Sequence, residues 1–450
     1  MNKEIFREYD IRGVYNRDFN LSDVEKLGRA YGAYLGLKGG TTAAVGRDCR
    51  LSSDDVAGVF MKALAGTGVR VLDIGVGPTP LLYFAVRSLK LDGGVMITAS
   101  HNPPEYNGFK ICVGPDAIFG QEIQRLGDLA FGVDFPEKKG SIENHNIIES
   151  YTDFLNYNIK LSRPVRVAVD AGNGVGGVTA GPVLRRLGCP ARELFFELDG
   201  RFPNHDPDPT LPENLAKLAE VVVAEGLEMG IGLDGDADRI GVVDEKGRII
   251  YGDMLTLIFA REILRERPGS RFVAEVKCSM NLFDDIEARG GHVVMWKAGH
   301  SLIKSKLKEE KAALAGEMSG HICFAHRYFG FDDAVYAACR LLEIASKRPD
   351  PVSNWLADLP PVFNTPEIRT PCPEEKKFKL VDLVREAFRE KYQIVDVDGV
   401  RVIFPDGWGL IRASNTGPLL VSRFEARTPE RLEEIRALVL GVLERFRDQA

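Results

Sequence analysis

The sequence predicts an α/β protein: three similar α/β domains with mixed sheets, followed by a C-terminal α+β domain with an antiparallel sheet. Over most of the 450 residues, short apolar segments closed by glycine alternate with segments of helical periodicity. Such alternation is typical of parallel or mixed sheets covered by helices. It runs through three rounds of roughly 100–120 residues, each the size of a domain. In the last roughly 80 residues, strand-like segments follow one another directly, which indicates antiparallel pairing.

Two kinds of pattern predict the elements of these three rounds. Short runs of apolar and β-branched residues predict strands, and apolar residues three or four positions apart predict helices. In chain order, the strands are predicted at 42–45, 69–74, 94–98, 165–169, 194–196, 229–233, 271–276, 292–295 and 313–315. The helices are predicted at 54–65, 81–89, 179–187, 213–225, 255–266, 282–288 and 302–309.

The C-terminal region departs from this order. Helices are predicted at 377–391 and 429–447, with strands at 399–404, 409–413 and 419–426 between them. The candidate domain boundaries are the polar stretch 136–146, the hairpin-like 244–247 and the proline-rich 347–373. The predicted domains are therefore 1–146, 147–250, 251–362 and 363–450.

Composition narrows the class of protein and of partner. The net charge of −7 argues against a nucleic-acid partner, because phosphate backbones are bound by surplus Lys and Arg. It does not exclude a small anionic ligand in a local basic pocket. Seven dispersed cysteines without a C-x-x-C pair indicate reduced thiols. The N-terminus lacks the apolar core of a signal peptide, and no apolar stretch approaches the ~20 residues that span a bilayer. We therefore expect a cytoplasmic protein without a membrane partner.

Segment 98–104 (TASHNPP) follows a predicted buried strand, at the end where ligands of α/β sheets commonly bind. Ser100 can present its hydroxyl there beside His101 and Asn102, and the prolines stiffen the loop. This arrangement makes Ser100 a candidate nucleophile. An ordinary polar turn is the alternative interpretation of the same residues.

Segment 234–239 (DGDADR) follows the predicted strand 229–233. Asp234, Asp236 and Asp238 would repel one another unless a cation lies among them, and their oxygens favour Mg²⁺ or Ca²⁺. An EF-hand is excluded, because Arg239 stands where that loop needs glycine and the flanks are strands. A solvated acidic turn is the remaining alternative. In a magnesium site, an oxygen from elsewhere, such as a phosphoryl group, would complete the ligand shell.

Two further segments suit a phosphorylated sugar. In 316–321 (GEMSGH), the Glu317 carboxylate can accept hydrogen bonds from neighbouring sugar hydroxyls. In 412–417 (RASNTG), one Arg, two hydroxyls, an amide and a glycine can cradle a phosphate. A plain loop and a β-turn are the alternatives. If all four segments converge, the ligand is a phosphorylated polyol and the reaction is phosphoryl transfer.

These motifs, in this order, closely resemble those of the α-D-phosphohexomutases, and within them the phosphomannomutase/phosphoglucomutase group. The resemblance covers essentially the whole chain. The similar segments are 9–13 (YDIRG), 98–104 with 106–110 (YNGFK), 234–239, 316–321 and 412–418 (RASNTGP). The resemblance implies four domains around a central cleft. It also implies an isomerase that interconverts hexose 1-phosphate and hexose 6-phosphate, acting on mannose, glucose or both.

The resemblance further implies how the reaction proceeds. Ser100 carries a phosphoryl group, and one Mg²⁺ per chain is held by Asp234, Asp236, Asp238 and the phosphorylated Ser100. The phosphoryl group passes to O1 or O6 of the substrate, giving a hexose 1,6-bisphosphate that turns over and returns its other phosphoryl group to Ser100. Closure of the last domain would protect the phosphoserine from water.

The resemblance also assigns roles to other residues. His101 would support the nucleophile and Arg239 would brace the phosphoserine. Lys110 and His300 fall on positions linked to proton transfer and substrate binding. The remaining implied ligand contacts are Tyr9, Arg12 and Lys277 around the site, Glu317 and Ser319 at the sugar's O3 and O4, and Arg412, Ser414, Asn415 and Thr416 at the phosphate that is not transferred. The expected partners are small hexose phosphates, bound by a monomer or a small homo-oligomer.

Two positions depart from the family pattern, and other functions stay open. Gly417 stands where the family usually has Glu, and Cys49 replaces the usual Gly in 46–50 (GRDCR). Met318 favours the mannose/glucose group over phosphoglucosamine mutases, which usually carry Gln there. A Mg²⁺-dependent phosphomonoesterase and a non-catalytic sugar-phosphate-binding protein are the alternatives from other classes. A mere binder would need neither Ser100 nor the aspartates.

Overall fold

The computed structural model describes residues 1–132, 137–414 and 417–447. They form two compact units. The first unit comprises Met1–Leu255 and Ser319–Trp355, and the second comprises Thr256–Met318 and Leu356–Ala450. The third predicted domain, 251–362, is therefore divided between the two units, with breaks after residues 255, 318 and 355.

The first unit begins with a mixed sheet that is covered by helices. Its strands are β1 Ile11–Val14, β2 Thr42–Arg47, β3 Arg70–Val76, β4 Gly93–Ile97, β5 Tyr106–Val113, β6 Asp116–Ala117 and β7 Ser141–Asn144. Its helices are α1 Leu21–Leu37, α2 Ser53–Ala65, α3 Thr79–Ser88 and α4 Gln121–Gly132. The strand order is β1-β5-β4-β2-β3-β7, with β6 beside β5. Strand β5 runs antiparallel to β4, and the loop that joins them follows the carboxyl end of β4.

A second mixed sheet follows in the same unit. Its elements are α5 Ile148–Asn158, β8 Val167–Asp170, α6 Gly176–Arg186, β9 Arg192–Leu194, α7 Pro212–Ala224, β10 Met229–Leu233, β11 Ile240–Asp244 and β12 Ile249–Ile250. The strand order is β12-β11-β10-β8-β9. Strands β8 and β10 are parallel, and β10 and β11 are antiparallel, so the loop 234–239 joins β10 to β11 at the carboxyl end of β10.

The second unit opens with α8 Gly252–Glu266, whose first residues still belong to the first unit. The elements that follow are β13 Arg271–Glu275, α9 Met280–Ala288, β14 His292–Trp296, α10 His300–Glu309 and β15 Leu314–Gly316. Strand β13 pairs in parallel with β14 on one side and with β15 on the other. Residues 277 and 317 therefore follow neighbouring parallel strands at the same edge of the sheet.

The chain then returns to the first unit with β16 Ile322–Phe324 and α11 Ala334–Lys347. Helix α11 is capped by Asp333, which accepts a hydrogen bond from the backbone N–H of Tyr336. It is buried along almost its whole length, and it packs against β10, β11 and α6. This packing accounts for the placement of residues 319–355 in the first unit.

The C-terminal part of the second unit is an antiparallel sheet. Its elements are β17 Phe363–Asn364, β18 Ile368–Pro371, α12 Glu374–Arg389, β19 Gln393–Val395, β20 Val400–Phe404, β21 Gly407–Ala413, β22 Leu419–Ala426 and α13 Pro429–Phe446. The strand order is β17-β22-β21-β20-β19, with β18 also paired to β22. The two helices cover one face over a core that includes Val384, Ile411 and Ile435.

The predicted fold class is confirmed: mixed sheets come first and an antiparallel sheet closes the chain. Two segments differ from the prediction. Residues 106–110 were assigned to a loop motif but begin β5, and the stretch 136–146, a candidate boundary, contains β7. Across the described ranges, every helix falls short of the length or apolarity that crossing a bilayer requires.

Candidate active site

Ser100 lies in the loop between β4 and β5, with its backbone in the left-handed region (φ 51°). This conformation is uncommon for a residue with a side chain, and such outliers cluster at functional sites. The Ser100 backbone N–H donates to Thr98 Oγ1 at 2.9 Å. The side chain is only 2% exposed.

Arg50 holds this loop in place. Its guanidinium, which is fully buried, donates to four backbone carbonyl oxygens: those of Ser100 (2.8 Å), Asn102 (2.6 Å), Pro103 (2.6 Å) and Tyr106 (3.1 Å). A planar guanidinium fork suits this multiple contact, which Lys could not reproduce. Asp48 orients the fork by accepting from Arg50 Nε at 3.1 Å. The backbone around Ser100 is thus fixed by Arg50, a residue outside the predicted site.

The Ser100 hydroxyl lies between a carboxylate and an imidazole. It donates to Asp234 Oδ2 at 2.7 Å, and His101 Nδ1 is 3.1 Å from the same oxygen. The only proton of the hydroxyl points to Asp234 in this hydrogen bond. The Ser100 oxygen therefore accepts the second hydrogen bond, and His101 Nδ1–H donates it. Burial, together with the charges of Arg239 and Arg12, lowers the pKa of His101 well below its usual value. The ring beside the nucleophile is therefore neutral near pH 7.

The three aspartates of the loop 234–239 are completely buried. Asp234 Oδ1 accepts from the backbone N–H groups of Asp238 (3.0 Å) and Arg239 (3.1 Å), which shapes the turn. Ala237 takes a left-handed backbone conformation (φ 52°). The serine loop and the aspartate loop thus each contain one residue with a strained backbone. Burial, reinforced by the charges of Asp236 and Asp238, raises the pKa of Asp234 well above its usual value.

The donor set fits a hard divalent cation. One carboxylate oxygen from each of Asp234, Asp236 and Asp238 lies within 4.8 Å of the others. Asp236 Oδ1 and Asp238 Oδ1 are buried and, within the part of the chain that the structure describes, have no hydrogen-bond partner. Leaving such atoms without a partner costs free energy. Oxygen ligands of this kind select Mg²⁺ or Ca²⁺ rather than softer metals.

Lys110 supplies a cation from the protein itself. Its ammonium, on β5, donates to Asp236 Oδ2 at 2.6 Å and also contacts Asp238 Oδ2. Burial opposes the charge, but the aspartates outweigh it and raise the pKa of Lys110. Burial likewise acts to raise the pKa of Asp236, yet the ammonium lowers it overall. Lys110 therefore stays protonated, which suits neutralisation of negative charge better than acceptance of a proton.

Arg239 is oriented by His321, the last residue of segment 316–321, which in turn faces Asp332. Its Nε donates to His321 Nε2 at 2.9 Å, which fixes that nitrogen as an acceptor because a guanidinium only donates. The proton of the ring then lies on Nδ1, which faces Asp332 Oδ2 at 3.1 Å. Asp238 Oδ1 is 3.6 Å from the same nitrogen. Polar contacts thus connect Asp332, through His321, to Arg239 at the end of the aspartate loop.

Arg12 approaches the serine loop from β1. It donates to Asn102 Oδ1 at 2.6 Å and to Asp10 Oδ2 at 2.5 Å, and it contributes to lowering the pKa of both His101 and Asp236. Tyr9 precedes this strand and is half-buried. Within the first unit, the structure therefore brings together Ser100 and the predicted residues around it: His101, Lys110, Asp234, Asp236, Asp238, Arg239 and Arg12.

A second polar cluster lies in the second unit. Lys277 Nζ is 2.5 Å from Glu367 Oε1 and 3.5 Å from Glu275 Oε1. Glu317 is 2% exposed; its Oε1 accepts from the Gly299 backbone N–H at 2.6 Å, while its Oε2 is buried and, among the described residues, has no hydrogen-bond partner. A hydrogen bond donated by a sugar hydroxyl would satisfy this oxygen.

Arg412 is held in the same unit by Asp398. Asp398 Oδ2 accepts from Arg412 Nε at 2.9 Å and from the Ala298 backbone N–H at 3.1 Å, so it ties the phosphate motif to the segment before α10. His300 is the first residue of α10, and the Ser414 carbonyl accepts from Lys377 at 2.6 Å. Ser319 belongs to the first unit. Asn415 and Thr416 lie outside the described residues.

The two departures from the family pattern have different surroundings. Cys49 Sγ donates to the Asn173 carbonyl at 3.4 Å, and burial raises the pKa of this thiol to about 12. The space around Gly417 is open, with the nearest atom to an added Cβ being Leu419 Cδ2 at 3.8 Å. Glycine is therefore not required by packing at position 417.

Gly235 permits the close approach of the aspartate loop to the serine loop. A Cβ at this position would lie 2.4 Å from the Ser100 carbonyl oxygen. We expect Gly235→Ala to lower stability by about 1–3 kcal/mol through overpacking and to lower turnover at least about tenfold by moving Asp234 away from Ser100. Urea unfolding and steady-state kinetics would measure both effects.

Gly36→Ala is the matched control for this substitution. Gly36 lies in α1, and nothing is within 4 Å of its added Cβ. The change should raise stability by up to about 1 kcal/mol and leave turnover alone. Wild-type turnover in Gly235→Ala would show that the two loops need not approach so closely.

Several residues of these clusters were not predicted from the sequence. They are Arg50, Glu275, Asp332, Glu367 and Asp398, together with the contact of His321 to Arg239. The five residues are charged and lie outside the four segments, and several of their contacts join distant parts of the chain: Arg50 to Ser100, Glu367 to Lys277 and Asp398 to Ala298. Spacing cannot reveal such pairs. For Arg50 the signal was the charged segment 46–50, with a buried Asp–Arg pair two residues apart.

Known proteins are similar to this chain over its whole length. Family models described as phosphoglucomutase/phosphomannomutase, alpha/beta/alpha domains I, II and III, match residues 3–128, 148–247 and 251–363. The model of the C-terminal domain of the same family matches residues 367–442. These matches give the chain a four-domain architecture.

Individual relatives agree with the family models. A phosphomannomutase/phosphoglucomutase from Pseudomonas aeruginosa is 45% identical over 435 residues, which are 96% of this chain and 94% of the relative. A phosphoglucomutase from Neisseria gonorrhoeae is 43% identical over 449 residues, 99% of this chain and 97% of the relative. A crystal structure of a phosphoglucomutase/phosphomannomutase family protein from Burkholderia thailandensis has a TM-score of 0.94 and 41% identity, covering 99% of this chain and 98% of that one.

Proposed function

The chain belongs to the phosphoglucomutase/phosphomannomutase family and is a hexose-phosphate mutase, and from that premise we propose that Ser100 carries the transferred phosphoryl group. The substrates are the 1-phosphates and 6-phosphates of glucose, mannose or both. A hexose 1,6-bisphosphate is the intermediate. The observation that carries the proposal is the Ser100 hydroxyl, buried and bonded to Asp234 within the aspartate triad.

The proposed step is an exchange of one phosphate ester for another. A sugar hydroxyl oxygen forms a bond to the phosphorus on Ser100, the phosphorus–Oγ bond breaks, and the sugar hydroxyl gives up its proton while Oγ regains one. Arg50 holds the backbone of the loop, and Asp234 and His101 orient the Ser100 oxygen. His300 and Lys110 remain the predicted residues for proton transfer. The raised pKa of Lys110 favours substrate binding over proton transfer, because the protonated ammonium attracts the anionic substrate.

A divalent cation fits this site, and we propose Mg²⁺. Asp234, Asp236, Asp238 and a phosphoryl oxygen on Ser100 would hold it. When bound, the cation neutralises charge on the transferring phosphoryl group. Lys110 already neutralises part of the charge of Asp236 and Asp238, so the buried triad is never left without a counter-charge.

The remaining predicted residues are proposed to hold the rest of the ligand. Glu317 is proposed to accept from the sugar's O3 and O4 hydroxyls, supported by its unpartnered Oε2, with Ser319 of the first unit beside it in sequence. Lys277, Arg412, Ser414, Asn415 and Thr416 are proposed to hold the phosphate that is not transferred. Tyr9 and Arg12 are assigned to the lining near Ser100.

The substrate test compares mannose 1-phosphate, glucose 1-phosphate and glucosamine 1-phosphate. We expect kcat/KM for the better of mannose 1-phosphate and glucose 1-phosphate to exceed that for glucosamine 1-phosphate at least about tenfold. A binding site built for a hydroxyl discriminates against a cationic amino group. Isomer formation is measured by coupled assay and by NMR. A preference for the amino sugar would favour a phosphoglucosamine mutase.

The same assay separates the other functional classes. Release of inorganic phosphate in proportion to substrate, without isomer, would support a phosphomonoesterase. Binding of hexose phosphates without any turnover would support a non-catalytic binding protein. A cytoplasmic location and a monomeric or small homo-oligomeric state stay predictions, which cell fractionation and light scattering of the purified protein would test.

A further inference from the structure

Glu275, the last residue of β13, is a buried carboxyl group to which the proposed mechanism gives no task. It is 1% exposed. Its Oε1 accepts from the backbone N–H of Met318 at 3.0 Å, and the Lys277 ammonium is 3.5 Å from the same oxygen. Its Oε2 is buried and has no hydrogen-bond partner within the described ranges. A single carboxyl group thus touches both the sugar motif and a proposed phosphate ligand.

The Lys277 ammonium is shared between two carboxyl groups. Glu367 is the nearer partner at 2.5 Å, and Glu275 lies on its other side at 3.5 Å. Burial disfavours the charge of Lys277, but the two glutamates outweigh burial and raise its pKa. The ammonium therefore stays charged at neutral and mildly alkaline pH. An ionised Glu275 attracts the Lys277 ammonium and so weakens its attraction for an incoming phosphate, whereas a neutral Glu275 does not.

We propose that Glu275 is a positioning residue for the phosphosugar: its carboxyl group fixes the sugar motif through Met318, and its protonation releases positive charge on Lys277 for the substrate phosphate. The inference rests on the proposed function, because it takes Lys277 and Glu317 as ligand contacts. It adds a residue, a task and a pH dependence that the family motifs do not contain.

The surroundings of Glu275 place its ionisation in an accessible range. Burial raises the pKa of Glu275 to about 8; Lys277 opposes this shift, and Glu317 and Glu367 add to it. Two more charged groups belong to this cluster: Arg412, whose charge acts on both Lys277 and Glu367, and Arg423, which donates to the Lys277 carbonyl. Below pH 8 the Glu275 carboxyl is neutral. Above pH 8 its charge competes for Lys277 and repels a dianionic phosphate.

The first experiment measures KM for glucose 1-phosphate from pH 7 to 9.5, where the phosphate stays dianionic because its second pKa is about 6. In the wild type, we expect KM to rise about fivefold through pH 8, with kcat changing less than twofold, since the effect is on binding of an anion. Glu275→Gln keeps an oxygen acceptor for Met318 but cannot ionise. Its KM should stay within about twofold across the same range.

The second experiment separates the two tasks of Glu275. Glu275→Ala removes the acceptor as well as the charge, leaving a buried backbone N–H without a partner, so KM at pH 7 should rise about tenfold while kcat falls less than threefold. Glu275→Gln should restore KM at pH 7 to near the wild-type value. If Glu275→Ala does not fold, Glu275→Gln and its pH profile still decide the matter.

Glu343→Gln is the matched control. Glu343 is a buried glutamate of α11 with the same kinds of partner: a backbone N–H (Lys160, 3.0 Å) and a cation (Arg327, 2.9 Å). Its substitution should leave the KM profile of the wild type unchanged. A flat wild-type profile, or a Glu275→Gln profile that still rises, would overturn the inference while isomerisation itself persisted. Loss of the proposed function would show differently, as wild-type enzyme that forms no isomer at any pH.

Discussion

Ser100→Ala is expected to abolish isomerisation, with kcat falling by about 10⁴-fold or more, because the substitution removes the atom proposed to carry the phosphoryl group. The surrounding contacts support a covalent role. Asp234 and His101 both bond to the Ser100 oxygen, and the Arg50 contacts hold the backbone, so the alanine variant keeps the shape of the loop. Coupled assays of glucose 1-phosphate turnover measure the loss.

Affinity and phosphorylation distinguish this result from a folding defect. Calorimetry should give a Kd for glucose 1-phosphate within about threefold of the wild type, since the proposed contacts of the second unit are untouched. Intact-mass measurement after incubation with glucose 1,6-bisphosphate should find one added phosphoryl group in the wild type and none in the variant.

Ser88→Ala is the control for the loss of a hydroxyl in the same domain. Ser88 ends α3, and its hydroxyl donates to the Phe84 carbonyl. This variant should keep wild-type turnover and accept the phosphoryl group. Turnover of Ser100→Ala near the wild-type rate, or a phosphoryl group mapped to another residue, would refute the proposal.

The sequence was sufficient for the fold class because the signals involved are local. The apolar strand 229–233 and the helices 54–65 and 213–225 were predicted within one or two residues of their observed ends, since periodicity and glycine punctuation act over short stretches. Strand β5 was missed for a different reason. Its first residues, 106–110, were interpreted as part of a motif. They also pair with β1, whose residues lie more than 90 positions earlier in the chain.

The site was predicted less completely than the fold. The aspartate triad was expected to need a cation, but the sequence could not show that Lys110, 126 positions before Asp236, supplies one. Nor could it show that Arg50 would contact four carbonyls of the serine loop, or that Glu275 would join the Met318 backbone to Lys277. Each contact depends on which strands become neighbours. Motif spacing identifies the chemical groups, and sheet topology decides which of them meet.

Removal of divalent metal should have the second-largest effect. After dialysis against a chelator, we expect turnover to fall about 10³-fold and to return on addition of Mg²⁺. The proposed cation would offset charge on the transferring phosphoryl group, and Lys110 alone supplies only one positive charge to the buried triad. Asp236→Asn should show a similar loss that added Mg²⁺ does not repair. Asp244→Asn is its control. Asp244 is also buried, but it ends β11 and accepts backbone N–H bonds in the turn that follows, away from the loop 234–239.

Metal binding itself can be measured apart from activity. A ligand that binds only the folded protein stabilises it by about 2.7 kcal/mol at a hundredfold excess over Kd, so Mg²⁺ should raise the melting temperature of the wild type by about 5 °C. Asp236 Oδ1 and Asp238 Oδ1 are buried without hydrogen-bond partners among the described residues, and binding would satisfy both. Asp244→Asn should retain this shift and Asp236→Asn should lose it. A metal-free enzyme with full turnover and no thermal shift would show that Lys110 is the only counter-ion the triad needs.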